Sequence, residues 1–351
     1  MKSLALLLKT TREQNDLTLK DLSLKTGIDS TLLSKIERSE RKATRDQIRI
    51  LSDIFEHQRK EMLTLWLAEK VYEELQHEDM WKEALIVAEE KIHYQSKQET
   101  KISEGFESLI LELDKLKSRL DQVRKQDSFR IAEALEIEYT YDSNKIEGNT
   151  LTLQETNLVV NKGLTISGKS MREHLEAVNH YEAIQFIKDL VDRKIDLNRK
   201  CLLELHYLIL RGIDRENAGR YRSVQVYISG SKHVPPQPYM IDKLMEDFFI
   251  WYDEVKKKIH PVILAAEVHQ RVVSIHPFID GNGRTSRLLM NLILLQHHYV
   301  IANIRSDATT KSQYYMALEE SNQTGSIDSF IKFVIQAEMK SLEHYLEILQ
   351  S

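Results

Sequence analysis

Twelve consecutive residues hold most of the chemistry available to this chain: His276-Pro277-Phe278-Ile279-Asp280-Gly281-Asn282-Gly283-Arg284-Thr285-Ser286-Arg287. His276 is a side chain that takes up a proton near neutral pH. Asp280 offers the hard oxygen that Mg²⁺ or Mn²⁺ accepts beside phosphates. An apolar run follows at once, Leu288, Leu289, Met290, Leu292, Ile293, Leu294 and Leu295, and reads as a buried helix. Gly281, Asn282 and Gly283 then sit where a loop enters a helix N-terminus. Free amides and the helix dipole there favour an anion, and glycine lets the backbone approach it. Arg284 and Arg287, three apart, share a helical face and can reach the same anion. Base, metal carboxylate, amide nest and two clamps together describe phosphate-transfer chemistry.

The elements that position these groups are mostly helical. Five prolines, none before Pro235, and eleven glycines in 351 residues favour an all-α chain with few hairpins. Helical patterns cover about 171–192, 198–210, 242–257 and 261–275. Between the second and third, Gly219 to Gly230 alternates and breaks at glycine, a strand signal, and Val234-Pro235-Pro236 follows. Upstream, a helix over 129–141 leads into Ser143-Asn144-Lys145-Ile146-Glu147-Gly148-Asn149. Ser143 and Glu147 are i,i+4 on one face and Gly148 ends the turn, so the carboxylate can pair with Arg287 and occupy a guanidinium that a triphosphate needs. His269 reads as structural, and the histidines otherwise show no ligand spacing.

The N-terminal 57 residues read as four short helices: 4–13; one capped by Thr18 with Asp21; one capped by Asp29 or Ser30; and one opened by Thr44 with Gln47. Gly27 supplies the stop of the second. Two short helices joined at a glycine form a helix-turn-helix pattern. Residues 58–128 are helical and charge-rich, and Ile102, Phe106, Leu109, Leu113, Leu116, Leu120 and Val123 make an a/d seam. That seam either zips a homodimer or packs on the chain's own helices. Three regions are thus expected: 1–57, 58–128 and 129–351.

The signature resembles that of the Fic family, His-x-Phe-x-Asp/Glu-Gly-Asn-Gly-Arg-x-x-Arg, with all eight specified positions matched by His276, Phe278, Asp280, Gly281, Asn282, Gly283, Arg284 and Arg287. The resemblance covers roughly residues 129–340. It implies a helical core with a small β-hairpin flap over 219–236, whose Val224, Gln225, Val226, Tyr227 and Ile228 receive the target as an added strand. It implies transfer of AMP from ATP to a protein hydroxyl, with Tyr314, Tyr315 and Asn322 lining the adenine pocket. Relatives that phosphorylate carry Lys where Gly283 stands, which favours nucleotidyl transfer. Residues 139–149 resemble the family's inhibitory motif, which ahead of the core marks the self-inhibited class. In some such relatives the inhibitory glutamate also serves removal of AMP.

The N-terminal region resembles the phage-repressor type of helix-turn-helix domain, with Ser30, Thr31 and Ser34 as candidate base contacts and Lys35 and Arg38 near phosphates. Leu19 stands where that family often has Gln. The alternative is a helical module for protein contact. Charge is uneven: residues 1–60 hold 13 Lys and Arg against 9 Asp and Glu, and the remainder 36 against 45. A basic end on an acidic body points to duplex DNA as a partner, and a second overall reading is a DNA-binding regulator whose enzyme core is autoregulatory. A single Cys201 excludes an intrachain disulfide, and no long apolar run is present, so a cytoplasmic protein with no membrane contact is expected. The target protein is not legible.

Overall fold

The computed structural model describes residues 3–98, 105–123 and 129–350. Among them every regular element is a helix, and none is long and apolar enough to cross a membrane. The chain divides into two compact units, Met1–Ile92 and His93–Ser351.

The first unit holds α1 (Leu4–Gln14), α2 (Leu19–Thr26), α3 (Ser30–Glu37), α4 (Arg45–Ile54), α5 (Arg59–Leu75) and the start of α6 (Trp81–Gln98). Its boundaries follow from local chemistry. Thr18 with Asp21 and Thr44 with Gln47 form reciprocal capping boxes, Asp29 caps α3, and Gly27 ends α2 at φ 70°. Leu8, Leu22, Leu33, Ile48 and Leu51 form the core, joined by Met62 and Trp66 of α5. The Trp66 indole donates to the Ala43 carbonyl at 2.9 Å. Arg12 grips Glu37 with two donors at 2.7 and 2.8 Å, tying α1 to α3. The region expected as a linker therefore begins as part of this unit.

The second unit holds α7 (Glu107–Val123), α8 (Phe129–Ile146), α9 (Leu153–Lys162), α10 (Met171–Asp192), α11 (Arg199–Leu210), α12 (Ile241–Val255), α13 (Pro261–Ile275), α14 (Asn282–Gln296), α15 (Ala308–Thr324) and α16 (Asp328–Gln350). α13 and α14 form its centre. Both are buried almost all round, from Val262 to Ile275 and from Asn282 to Leu294, and they bury polar side chains such as Glu267, His269, Arg284, Arg287 and Asn291 along with the apolar ones. The other helices pack around this pair.

One alternative is met and one expectation changes. Leu113, Leu116 and Leu120 of the seam are buried in the second unit's own core, where α7 packs against α16; Ile102 lies outside the described residues. The stripe that suggested a dimer is spent inside the chain. The expected β-hairpin is also absent as a ladder: 219–236 carries no strand. Its two arms still run back on each other through a turn in which the Ser231 amide donates to the Ile228 carbonyl and Gly230 has φ 78°. Side chains replace the ladder. Arg222 donates to the carbonyls of Val224 and Pro236, and Gln225 to that of Pro235. Pro235 and Pro236 have no N–H with which to answer.

Candidate active site

α13 ends at His276, which caps it in the left-handed region at φ 51°. The chain then turns through six residues to Gly281, at φ 77°, which opens α14. Phe278, fully buried, anchors the turn. Its ring stacks on His206 of α11 with centroids 3.6 Å apart. His206 Nε2 donates to the Asp280 carbonyl at 2.9 Å, while its Nδ1 accepts from the Gly219 amide. Both bonds suit a neutral ring, and burial pushes its pKa down to about 4. Asn282 braces the turn reciprocally: its oxygen accepts from the Phe278 amide and its nitrogen donates to the Phe278 carbonyl. The Asn282 side chain is therefore held against the turn by both its oxygen and its nitrogen, and its main-chain N–H is left to face an anion. The same limit applies to Gly281, whose N–H donates to Asp280 Oδ1 at 2.6 Å. The N–H groups that begin α14, at Asn282, Gly283 and Arg284, have no intrahelical partner.

The imidazole of His276 donates from Nδ1 to the Val273 carbonyl at 3.1 Å, which leaves Nε2 as the lone-pair nitrogen. Burial, with help from Arg222 and His233, lowers its pKa to about 4, so it is neutral and ready to accept a proton at physiological pH. Asp280 is held below the usual carboxylate range. Burial alone would raise it, but Arg284, the Gly281 amide and Arg172 prevail. Arg284 is 2% exposed, and its Nε and Nη1 have no hydrogen-bond partner. A buried guanidinium left so is costly unless an anion completes it.

Arg287, also buried, is fully engaged. Its Nε donates to Ser143 Oγ at 3.1 Å, and Nη2 donates both to the Ser143 carbonyl at 2.9 Å and to Glu147 Oε1 at 2.8 Å. Tyr314 Oη accepts from Nη1 at 3.4 Å. Burial opposes the charge on Arg287, but Glu147 and the two nearby tyrosines raise its pKa further. α8 continues to Ile146, and the carboxylate projects just past its end. There it lies against Gly283: a Cβ built on that glycine would come within 2.3 Å of Glu147 Oε1. The glutamate thus takes a guanidinium and also the space above the first turn of α14.

Residues 196–294 match the Fic/DOC family model, and residues 8–56 match a helix-turn-helix model. The second unit carries a Fic/DOC family domain. The chain is 37% identical over 243 residues to the protein adenylyltransferase Fic of Drosophila grimshawi, covering 68% of this chain and 49% of that protein. It is 39% identical over 210 residues to the protein of the same name in Drosophila melanogaster, covering 60% of this chain and 42% of that one. The chain spans about half the length of the curated relatives it matches. Among solved structures, a Fic domain containing signaling protein from Bacteroides thetaiotaomicron superposes with TM-score 0.63 at 27% identity, over 69% of this chain and 97% of that one. Fic-1 (aa134 - 508) from C. elegans superposes with TM-score 0.62 at 24% identity over 100% of this chain and 99% of that one, a likeness of fold.

Within the Fic domain the remaining expected residues fall in several settings. Tyr314 is buried, its hydroxyl shared between Arg287 and His269, while Tyr315 beside it is 44% exposed. Asn322 accepts from Ser274 and Gln270, which fastens α15 to α13. In the flap, Val224 and Tyr227 are exposed. Four residues that sequence reasoning missed complete the site. Arg222, 3% exposed, donates from Nε to the His276 carbonyl at 2.8 Å, and its main-chain amide donates to the Pro277 carbonyl, which moors the flap to the signature turn. Glu319 accepts from Ser231 and Lys232 at the flap's tip. Arg172 and Glu176 of α10 flank Asp280: Arg172 Nη2 donates to Asp280 Oδ2 at 2.7 Å, and its Nε to Glu176 Oε1 at 3.0 Å. Apart from the i,i+4 pair of Arg172 and Glu176, their partners are remote in sequence, so nothing in their own neighbourhood marks them as part of the site. The family generally uses ATP and a divalent metal. No group of three or more His, Cys, Asp or Glu able to hold a metal occurs among the described residues. A single carboxylate beside an anion seat fits an ion that brings its own water and shares phosphate oxygens, as Mg²⁺ does.

In the helix-turn-helix unit, α3 turns Leu33 and Ile36 inward. Thr31, Lys35 and Arg38 are exposed, and Ser30 and Ser34 half-buried.

Proposed function

We propose that the Fic domain is a protein adenylyltransferase that moves AMP from ATP to a Ser, Thr or Tyr hydroxyl of a target protein, and that it is held in a self-inhibited form. The observation that carries this reading is the pairing of a neutral His276 imidazole with an anion seat containing the buried guanidinium of Arg284, whose Nε and Nη1 lack a hydrogen-bond partner. The acceptor hydroxyl lies against the flap at Val224, Gln225, Val226, Tyr227 and Ile228. His276 Nε2 takes its proton; the oxygen attacks the α-phosphorus; the bond to the β-phosphate oxygen breaks, and pyrophosphate leaves. The N–H groups opening α14 and Arg284 hold the phosphates, and Arg287 clamps the far end once Glu147 releases it. Asp280 would hold Mg²⁺ or Mn²⁺, which neutralises phosphate charge when bound. Tyr315, with Tyr314 behind it, and Asn322 bound the adenine side. Incubation with labelled ATP and a cell lysate tests the reading. Label on protein is expected, and His276→Ala should lose about 10²-fold or more while ATP binding by calorimetry stays within a few-fold. Undiminished transfer by that variant would overturn the role of His276.

The resemblance of 139–149 to the family's inhibitory motif, with the Glu147 carboxylate beside Gly283 at the entry of α14, leads us to propose AMP removal as a second activity of the same site. The helix-turn-helix unit supports a further reading, a regulator that binds duplex DNA through Ser30, Thr31, Ser34, Lys35 and Arg38. Operator binding by His276→Ala, with affinity falling steeply in salt, would support it; absence of binding at low salt would leave protein contact as that unit's role. A reducing, cytoplasmic setting suits the free, buried Cys201.

A further inference from the structure

We propose that Arg172 is a tethered counter-cation of the metal position: it holds Asp280 until a divalent ion takes that oxygen, and so sets how strongly nucleotide binding depends on the ion. The proposal rests on the reading of Asp280 as the metal ligand.

The geometry separates the two carboxylate oxygens. Oδ1 belongs to its own turn, accepting from the Gly281 amide at 2.6 Å with Arg284 Nη2 at 3.4 Å. Oδ2 takes no part in that turn, and there Arg172 Nη2 sits at 2.7 Å. An inner-sphere Mg²⁺ lies 2.0–2.1 Å from its oxygen, so the ion and this guanidinium compete for Oδ2. Both are cations, and the one that is absent leaves its place to the other.

Arg172 is built to yield. It reaches in from the first turn of α10, and its side chain is 58% exposed. Its Nε is already bonded to Glu176, one turn along the same helix and largely buried, so leaving Asp280 does not strand the charge. Arg284 Nη1 lies 3.6 Å from the same Glu176 oxygen, and Asn149, two residues after the inhibitory glutamate, donates to its other oxygen at 3.0 Å. Glu176 is therefore the fixed landing point, and Arg172 a positioning residue that swings on it. In the metal-free state Arg172 screens Asp280 from the phosphates; in the metal-bound state it opposes the ion. Its removal should weaken nucleotide binding without metal and strengthen it with metal.

The test is calorimetry of a non-hydrolysable ATP analogue on the full chain carrying Glu147→Gly, in Mn²⁺ and in EDTA, with melting curves to confirm folding. The readout is the dissociation constant in EDTA divided by that in Mn²⁺. Arg172→Gln should raise that ratio by about two- to five-fold, the range for a partly exposed ion pair, and Arg172→Lys should restore most of the original value. An unchanged or smaller ratio in a folded Arg172→Gln overturns the proposal while leaving the metal assignment intact. Asp280→Asn should abolish the ratio with either residue at 172. If it does not, the metal assignment of Asp280 fails and this proposal with it.

Discussion

In the proposed function the chemistry turns on Glu147 and His276, and the surroundings of the two side chains make opposite demands. Glu147 is 34% exposed at its side chain, yet its partner Arg287 is almost wholly buried. Breaking the pair frees a guanidinium that has no water to fall back on, so a triphosphate is its natural replacement. Glu147→Gly should therefore raise AMP transfer, on the order of 10²-fold where alignment of the α-phosphorus is the missing factor, with a much smaller change in ATP affinity. Radiolabel transfer at saturating ATP, with melting curves alongside, measures this; equal rates from two folded proteins would refute restraint by Glu147. His276 makes a different prediction. Because burial holds its pKa near 4, the base stays unprotonated from pH 8 to pH 6, and transfer by Glu147→Gly should show no falling acid limb in that range. A limb centred near 6.5, the ordinary histidine value, would mean that the imidazole is solvated during turnover.

At the scale of elements, what could be read from the sequence is what is decided locally. Thr18 with Asp21, Thr44 with Gln47, Gly27 and the entry of α14 at Gly281 are settled by contacts within a few residues, and each appears where the sequence places it. The flap is not so decided. Its alternation reads as strand, but a ladder needs donors on both arms, and the prolines on one arm lack them. Arg172 and Asp280 are 108 residues apart, and nothing near either names the other. The α7 stripe lies between these cases: the pattern fixes a buried face but not what buries it. Since that face meets α16 within one chain, Leu113→Ala should cost about 2–5 kcal/mol of stability in the second unit. Leu113→Glu should yield unfolded or insoluble protein rather than a soluble monomer. Thermal melting of the two variants checks this; a Leu113→Ala variant that melts with the wild type would place Leu113 outside the core.

The whole second unit has a dependence on acid that none of its helices has alone. His180, His206, His269 and His276 are all pushed below their ordinary value, chiefly by burial. Each is neutral in the fold and takes a proton once unfolded below about pH 6.5. The unfolded state then binds more protons, so stability falls as pH drops from about 6.5 towards 4, at about 1.4 kcal/mol per pH unit for each such ring. Denaturant melts of the second unit at pH 7.5, 6 and 5 should show this slope, and a flat profile would mean that the rings take up their protons in the fold as readily as in the unfolded chain. The contact between Glu147 and the bare backbone at Gly283 has a consequence for the lineage rather than the molecule. A side chain at 283 would crowd the glutamate, because a Cβ there meets the Glu147 carboxylate and the Arg287 guanidinium. On the proposed reading a replacement at 283 therefore alters the nucleotide seat together with the restraint, whereas loss of the carboxylate at 147 is expected to remove the restraint alone in a single step. If unrestrained activity harms the host, spontaneous escape variants should be found at 147, and suppressors of them at 283.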